Sequence, residues 1–255
     1  MLIARRKDQA KYPELWDGID GAWYPGAGAS GTRLYDLSGR DNHGTLTSGP
    51  TWADRQGGKA ISFDGVDDFV QAPSTPAASS FSVVTHLTIN VGAAAMRIAG
   101  NYSGGTVRGW GLFVDAGSLL NFFIFGAAGT VNTAAGVVPR GVSVCLAVVY
   151  SFSGSTCTKR QYIDGVLVDT AAGAVGSIST ASAFLQIGKY NSAVSLLFAG
   201  SVHEFLEYDR ALSDTEINLL ARRPGIAYEL AARKVYSLPS ALSSARLRRI
   251  LTGAT

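Results

Sequence analysis

Ala60-Ile61-Ser62-Phe63-Asp64-Gly65-Val66-Asp67-Asp68-Phe69-Val70 is the stretch on which the reading of this chain turns. Ile61 and Phe63 alternate with polar Ser62 and Asp64, and Phe69 and Val70 resume the apolar pattern after Gly65-Val66-Asp67-Asp68. Alternation with a period of two on either side of an acid- and glycine-rich turn predicts a short strand on each side. The three aspartates admit two roles. They could hold a calcium ion, which takes about six to eight oxygen ligands, or bond to nearby backbone amides and shape the turn.

Working outward, alternating or near-continuous apolar runs predict strands at 81–89, 96–99, 109–114, 119–125, 142–150, 159–163, 166–169, 184–187 and 201–208. Asp164-Gly165 stands between Tyr162-Ile163 and Val166-Leu167, and both residues tolerate the positive φ that a two-residue hairpin requires. Gly21-Ala22-Trp23-Tyr24 reads as a first strand, and Trp52 as an aromatic plug into the core. Residues 34–46, rich in Asp, Ser, Asn and Gly, read as a turn-dense segment in which His43 is held by hydrogen bonds. The pattern changes at Ser213-Asp214-Thr215-Glu216, a capping box ahead of apolar Ile217, Leu220 and Ala221, with Pro224 as the stop. Further helical segments are expected at 226–236 and 241–251.

Apolar residues form 47 % of the chain and charged ones 16 %, which suffices for a sizeable core; 30 glycines favour a turn-rich all-β domain over a helical one. The net charge of +3 is unevenly spread. Residues 1–11 carry four basic residues and one acid, residues 222–255 seven and one, and the centre eleven and seventeen. The basic ends are read as solvated or docked on an acidic neighbour, with no nucleic-acid or membrane partner expected. Cys145 and Cys157 do not face each other across a hairpin turning at Ser153-Gly154, so free buried thiols are expected. No apolar signal-peptide core follows the first residues and no 18-residue apolar span occurs.

Catalytic patterns are sparse. Glu204 and Glu207 alternate to opposite faces of one strand and cannot form a glycosidase pair. A Gly-x-Ser-x-Gly elbow and the glycine patterns of nucleotide sites are absent. The chain is therefore expected not to be an enzyme.

Asp36-x-Ser38-Gly39-x-x-Asn42-His43-Gly44-Thr45-Leu46, Gly49-Pro50-x-Trp52, Phe63-Asp64-Gly65-x-Asp67-Asp68-Phe69-Val70, Tyr162-Ile163-Asp164-Gly165, Phe198-x-Gly200-Ser201-Val202-x-Glu204 and Tyr208-Asp209-Arg210-Ala211-Leu212-Ser213-Asp214-x-Glu216-Ile217 occur in that order. Together they resemble the laminin-G-like branch of the concanavalin A-like lectin/glucanase superfamily. The resemblance implies a two-sheet antiparallel jelly-roll sandwich over 21–221, with an N-terminal arm at 1–20 and a basic helical C-terminal extension at 222–255.

It also implies binding or display rather than catalysis. Calcium is possible at Asp64, Asp67 and Asp68, with Asp36 and Asn42 as distant partners, and no other cofactor is expected. A glycan site would draw on Tyr102, Trp110, Tyr190 and Asn191, with Trp110 an equally good core residue. The flanking stretches resemble extensions found in tailed-phage proteins. From them follows the expectation of a virion component assembled in the host cytoplasm, a capsid decoration or other head or tail protein. It would associate with viral proteins or with itself through Arg5, Arg6, Lys7, Arg222, Arg223, Arg233, Lys234, Arg246, Arg248 and Arg249. A cell-surface glycan is the alternative partner.

Overall fold

The computed structural model describes residues 7–73, 80–101, 109–126, 129–154, 156–173, 184–189 and 196–231. Its strands are β1 (Ile19–Trp23), β2 (Arg33–Leu34), β3 (Gly44–Thr47), β4 (Thr51–Arg55), β5 (Gly58–Asp64), β6 (Phe69–Pro73), β7 (Ser80–Ile89) and β8 (Met96–Gly100). They continue as β9 (Gly109–Val114), β10 (Leu119–Gly126), β11 (Gly129–Val137), β12 (Ser143–Ser153), β13 (Thr156–Ile163), β14 (Val166–Gly173), β15 (Phe184–Ile187) and β16 (Ala199–Tyr208). One α-helix, α1 (Asp214–Leu220), follows.

Two antiparallel sheets stack as a jelly-roll-like sandwich. The first runs β14-β13-β12-β7-β16-β5-β4, with β1 also on β16; the second runs β11-β10-β9-β8-β15-β6-β3-β2. The two strands flanking the acidic turn thus belong to different sheets. β5 ends at Asp64 in the first and β6 begins at Phe69 in the second, so the turn is the arch that carries the chain across the rim. Gly65 sits at φ +83°, and a Cβ there would lie 2.8 Å from the Ala199 Cβ. Both conditions demand glycine.

Alternate residues of the facing strands fill the space between the sheets. Ile61, Phe63, Val70, Leu87, Leu112, Phe122, Leu185 and Phe205 are among the buried members. A second apolar cluster covers the outer face of the first sheet, where Leu15, Ile217, Leu220, Ile226 and Ala227 pack on Val84, Cys145, Leu206 and Tyr208. Arm and C-terminal strap are joined to each other: Ala10 bridges Leu230, the Lys11 amide donates to the Glu229 carbonyl at 2.7 Å, and the Trp16 indole donates to the Ala227 carbonyl at 2.9 Å.

The Asp164-Gly165 hairpin forms as the sequence predicts, with φ +50° and +80° and Ile163 paired to Val166. The capping box on α1 is complete in both directions. Both cysteines are free and buried. Cys145 belongs to the outer cluster and Cys157 to the inter-sheet core, so they lie on opposite faces of one sheet. His43 is held as expected, its Nδ1 accepting from the Asp36 amide. Trp52 is only half-buried at the core's edge, its indole donating to the Gly31 carbonyl.

Two expectations need correction, and one strand departs from strict alternation. The segment read as turns at 34–46 begins in β2 and ends in β3, and the small-residue strand β11 was not foreseen. In the described part of the helix expected at 226–236, residues 226–231, there is one 3₁₀ turn, Ile226–Tyr228, after which Glu229 is extended. Gly225 at φ +82° breaks the path after α1, and pairing of Leu230 with Ala10 holds the chain straight. Residues 232–255, with the helix expected at 241–251, lie outside the described residues. Finally, a bulge in β16 skips His203, placing Val202 opposite Leu87 and Glu204 opposite His86. His203 therefore does not share a face with Phe205, as strict alternation implies; it bonds to the hydroxyls of Thr88, Ser143 and Ser201.

Candidate binding face

The second sheet presents an outer face that its own sequence builds. Residues between the core positions of each strand point outward. Pairing registers set Arg33, Thr45, Gln71, Gln186, Gly100, Gly111 and Phe123 in one row across seven strands. A neighbouring row holds Arg97, Phe113 and Asn121. Gly100 and Gly111 are paired and carry no side chain. The Phe123 ring occupies the side-chain position of Gly111, since a Cβ there would sit 2.1 Å from the ring's Cζ. Phe113 packs beside Phe123 with ring centroids 5.8 Å apart. Toward the acidic arch, Phe69 carries the Lys189 ammonium 3.4 Å from its ring centroid.

The arch brings Asp64, Asp67 and Asp68 together, one carboxylate oxygen from each lying within 4.8 Å of the others. Asp68 Oδ2 accepts from the Asp64 amide at 2.9 Å, and Asp64 Oδ1 accepts from the Val66 amide at 2.8 Å. Burial, together with the charges of Asp64 and Asp67, raises the Asp68 carboxyl above its ordinary range. The residues fit a partial cation shell of three carboxylates, and two of the three also tie the loop. Asp36 is not part of the group. Its oxygens accept from the amides of Ala22, Ser38 and Asn42 and from the Ser38 hydroxyl, which fixes the segment leading into β3. Asn42 spends its side-chain amide on the Asp20 carbonyl.

Trp110 is not a sugar platform. It is 1 % exposed, packed between the sheets against Phe81 with centroids 5.9 Å apart. Tyr102, Tyr190 and Asn191 lie outside the described residues, as do Arg5, Arg6, Arg233, Lys234, Arg246, Arg248 and Arg249. Lys7 is exposed and paired with Asp17, Arg222 is exposed, and Arg223 pairs with Glu229. The outward aromatics Phe69, Phe113 and Phe123 were not singled out from the sequence. Their signal was present, because Gly109-Trp110-Gly111-Leu112-Phe113 alternates small with large, and the glycines mark where a neighbour's ring lies.

Two further titratable groups, Glu204 and His86, are buried under the C-terminal strap. Glu204 is 1 % exposed. Its Oε2 accepts from the Gly225 amide at 3.2 Å and lies 3.9 Å from His86 Nε2. Burial pushes this carboxyl up to about 8, opposed by the Gly225 amide, Arg223 and Arg55. His86 shares the site, its Nε2 2.9 Å from the Leu220 carbonyl, and burial lowers it. Glu207, 5 % exposed, belongs to the face of Phe205 rather than that of Leu206 and Tyr208, so the two glutamates point to opposite sides of the sheet.

Comparison with known proteins agrees with this architecture. No curated protein matches the sequence. The binding domain of Paraclostridial Mosquitocidal Protein 1 has a TM-score of 0.63 at 14 % identity, over 81 % of this chain and 52 % of that one. Botulinum neurotoxin type C, in a structure described by its dependence on two ganglioside molecules, has a TM-score of 0.61 at 15 % identity, over 82 % and 51 %. Domain 4 of AbnA, an extracellular arabinanase of Geobacillus stearothermophilus, in complex with arabinotriose, gives 0.61 at 16 % identity over 80 % and 98 %. The chain thus spans about half the length of the two toxin chains. The family model for the concanavalin A-like lectin/glucanases superfamily matches residues 64–218, starting inside the acidic arch. That match covers more than half of the sequence, and the chain belongs to the concanavalin A-like lectin/glucanases superfamily.

Proposed function

We propose that this chain is a non-enzymatic recognition module that binds a saccharide on the outer face of its second sheet. The observation that carries this reading is the asymmetry of the two outer faces. The first sheet's is covered by arm, helix and strap. The second sheet's presents half-buried Gln71, Gln186 and Phe113 beside the glycine pair Gly100 and Gly111. Side-chain amides beside an aromatic ring are elements by which proteins hold sugar rings. The neighbours described with gangliosides and arabinotriose support a binding role. Placement of Glu204 and Glu207 on opposite sides of their sheet supports the absence of hydrolysis.

The test is a glycan array probed with the full chain, followed by titration of each hit against Gln186→Ala and Phe113→Ala. Binding that both substitutions weaken is expected. Hits insensitive to both would place recognition elsewhere, and turnover of any hit would contradict a binding-only role.

The setting we propose for this module is a tailed-phage virion, as a head- or tail-associated protein assembled in the host cytoplasm. The division between an acidic centre and basic ends supports it, because such ends suit attachment to an acidic protein surface or to other copies. Deleting residues 222–255 should reduce incorporation into particles. Unchanged incorporation would count against attachment through that end.

A further inference from the structure

The eight strands of the second sheet contain no aspartate or glutamate, whereas the first sheet's contain Asp20, Asp54, Asp64, Asp169, Glu204 and Glu207. The charges on the second sheet's strands are those of Arg33 and Arg97, both outward. Lys189, two residues past β15, adds a third cation against Phe69. The Gly188 amide bonds to the Ile98 carbonyl at 2.7 Å, so Lys189 leaves the sheet beside the strand that carries Arg97. Among the described residues, carboxylates approach this face at its edges: the arch group Asp64, Asp67 and Asp68 at one, and Asp115 at another. Asp67 lies near Lys189, and Asp115 is committed to the Leu119 amide and the Asn121 side chain.

Resting on the reading of this face as a saccharide site, we propose that its ligand is an acidic saccharide, one bearing carboxylate or sulfate groups. Arg97 and Lys189 take the anionic substituent, while Gln71 and Gln186 bond to ring hydroxyls and half-buried Phe113 packs on the apolar ring face. Guanidinium and ammonium donors bond to anionic oxygens about twice as strongly as neutral amides do. A sheet stripped of carboxylates avoids the repulsion that would cancel that gain. Flanking arginine–aromatic pairs (Arg97 opposite Phe113 in the register) fit a ring that is charged at one edge and apolar on its face.

Three saccharides of matched length test this with the full chain by isothermal titration: an oligogalacturonate for carboxylates, a heparin-derived oligosaccharide for sulfates, and a neutral malto-oligosaccharide. An acidic saccharide should bind and the neutral one should not, with Arg97→Gln and Lys189→Gln each weakening binding about tenfold or more. Lys59→Gln, on the first sheet, should have no effect. Which acidic probe binds tells carboxylate from sulfate. Should Arg97→Gln fail to fold, Lys189→Gln still decides. Neutral and acidic saccharides binding equally, with both substitutions silent, would overturn the acidic class and leave the saccharide face standing. Failure of all three saccharides would remove both. Duplex DNA or phosphatidylglycerol vesicles binding more tightly than any saccharide would overturn the assignment in favour of another polyanion.

Discussion

Replacing Glu204 by glutamine should change how stability depends on pH, because this carboxyl is buried beneath the strap with its pKa pushed up to about 8. In the unfolded chain a glutamate titrates near 4.5. The folded state holds the proton more tightly, so the stability this group carries is fully present below about pH 4.5. It is lost progressively as pH rises toward about 8 and then levels off. Over that span the loss has an upper bound of about 5 kcal/mol, at about 1.4 kcal/mol per pH unit. Glutamine keeps the acceptor for the Gly225 amide without ever gaining charge.

The informative window lies above the histidines. His203, lowered to about 4 by burial and by the charges of Arg55 and His86, loses its stabilising contribution as pH falls from about 6.5, and His86 is shifted in the same direction. Lys159, lowered to about 8 by burial, adds stability chiefly above that value. Between about pH 6.5 and pH 8 the difference in unfolding free energy between the parent and E204Q should therefore move by roughly 1.5 kcal/mol in favour of the variant. Urea unfolding at several pH values across the window measures it. Parallel pH profiles for the two proteins would refute the reasoning, since they would mean that Glu204 binds its proton no more tightly when folded.

Ser213→Ala removes the side chain that accepts the Glu216 amide and should cost about 1 kcal/mol in thermal or urea unfolding. Asp68→Ala strips the acceptor from the Asp64 amide in the arch; a loss of roughly 1–3 kcal/mol is expected in chelator, showing that the arch is held by its own hydrogen bonds. Gly111→Val drives a side chain into the Phe123 ring, and saccharide binding should fall while the two-state transition persists, as paired titration and melting would show. Trp110→Ala should cost about 3–5 kcal/mol in unfolding, the penalty of an emptied core site.

Local chemistry made parts of this fold legible in the sequence. Asp164-Gly165 and Ser213-x-x-Glu216 specify their turn and cap through backbone geometry that few other residues allow, and both form. The acidic arch was legible as a turn but not as a passage between sheets, because neighbouring strands in sequence need not share a sheet. β11 escaped notice since Thr133, Ala134, Ala135 and Gly136 give no apolar alternation, and its pairing with β10 supplies what propensity does not.

The site was harder to read than the fold. In a near-continuous run such as Asn121-Phe122-Phe123-Ile124, periodicity cannot say which ring faces the core, and only the partner strand with Gly111 separates Phe122 inside from Phe123 outside. Trp110, near a strand end, suited platform and core equally in the sequence, and its strand position turns it inward. The bulge at His203 adds one residue to a strand without any marker in composition.

The measurement that bears most directly on recognition by the second sheet is a ¹⁵N-resolved NMR titration of the full chain with the best-binding saccharide. Shifts should concentrate at Gln71, Gln186, Gly100, Gly111 and Phe113, with the amides of Ser62, Thr88 and Ser143 on the first sheet unmoved. Shifts confined to the first sheet or to the arch, with the Gly100–Gly111 pair silent, would contradict it.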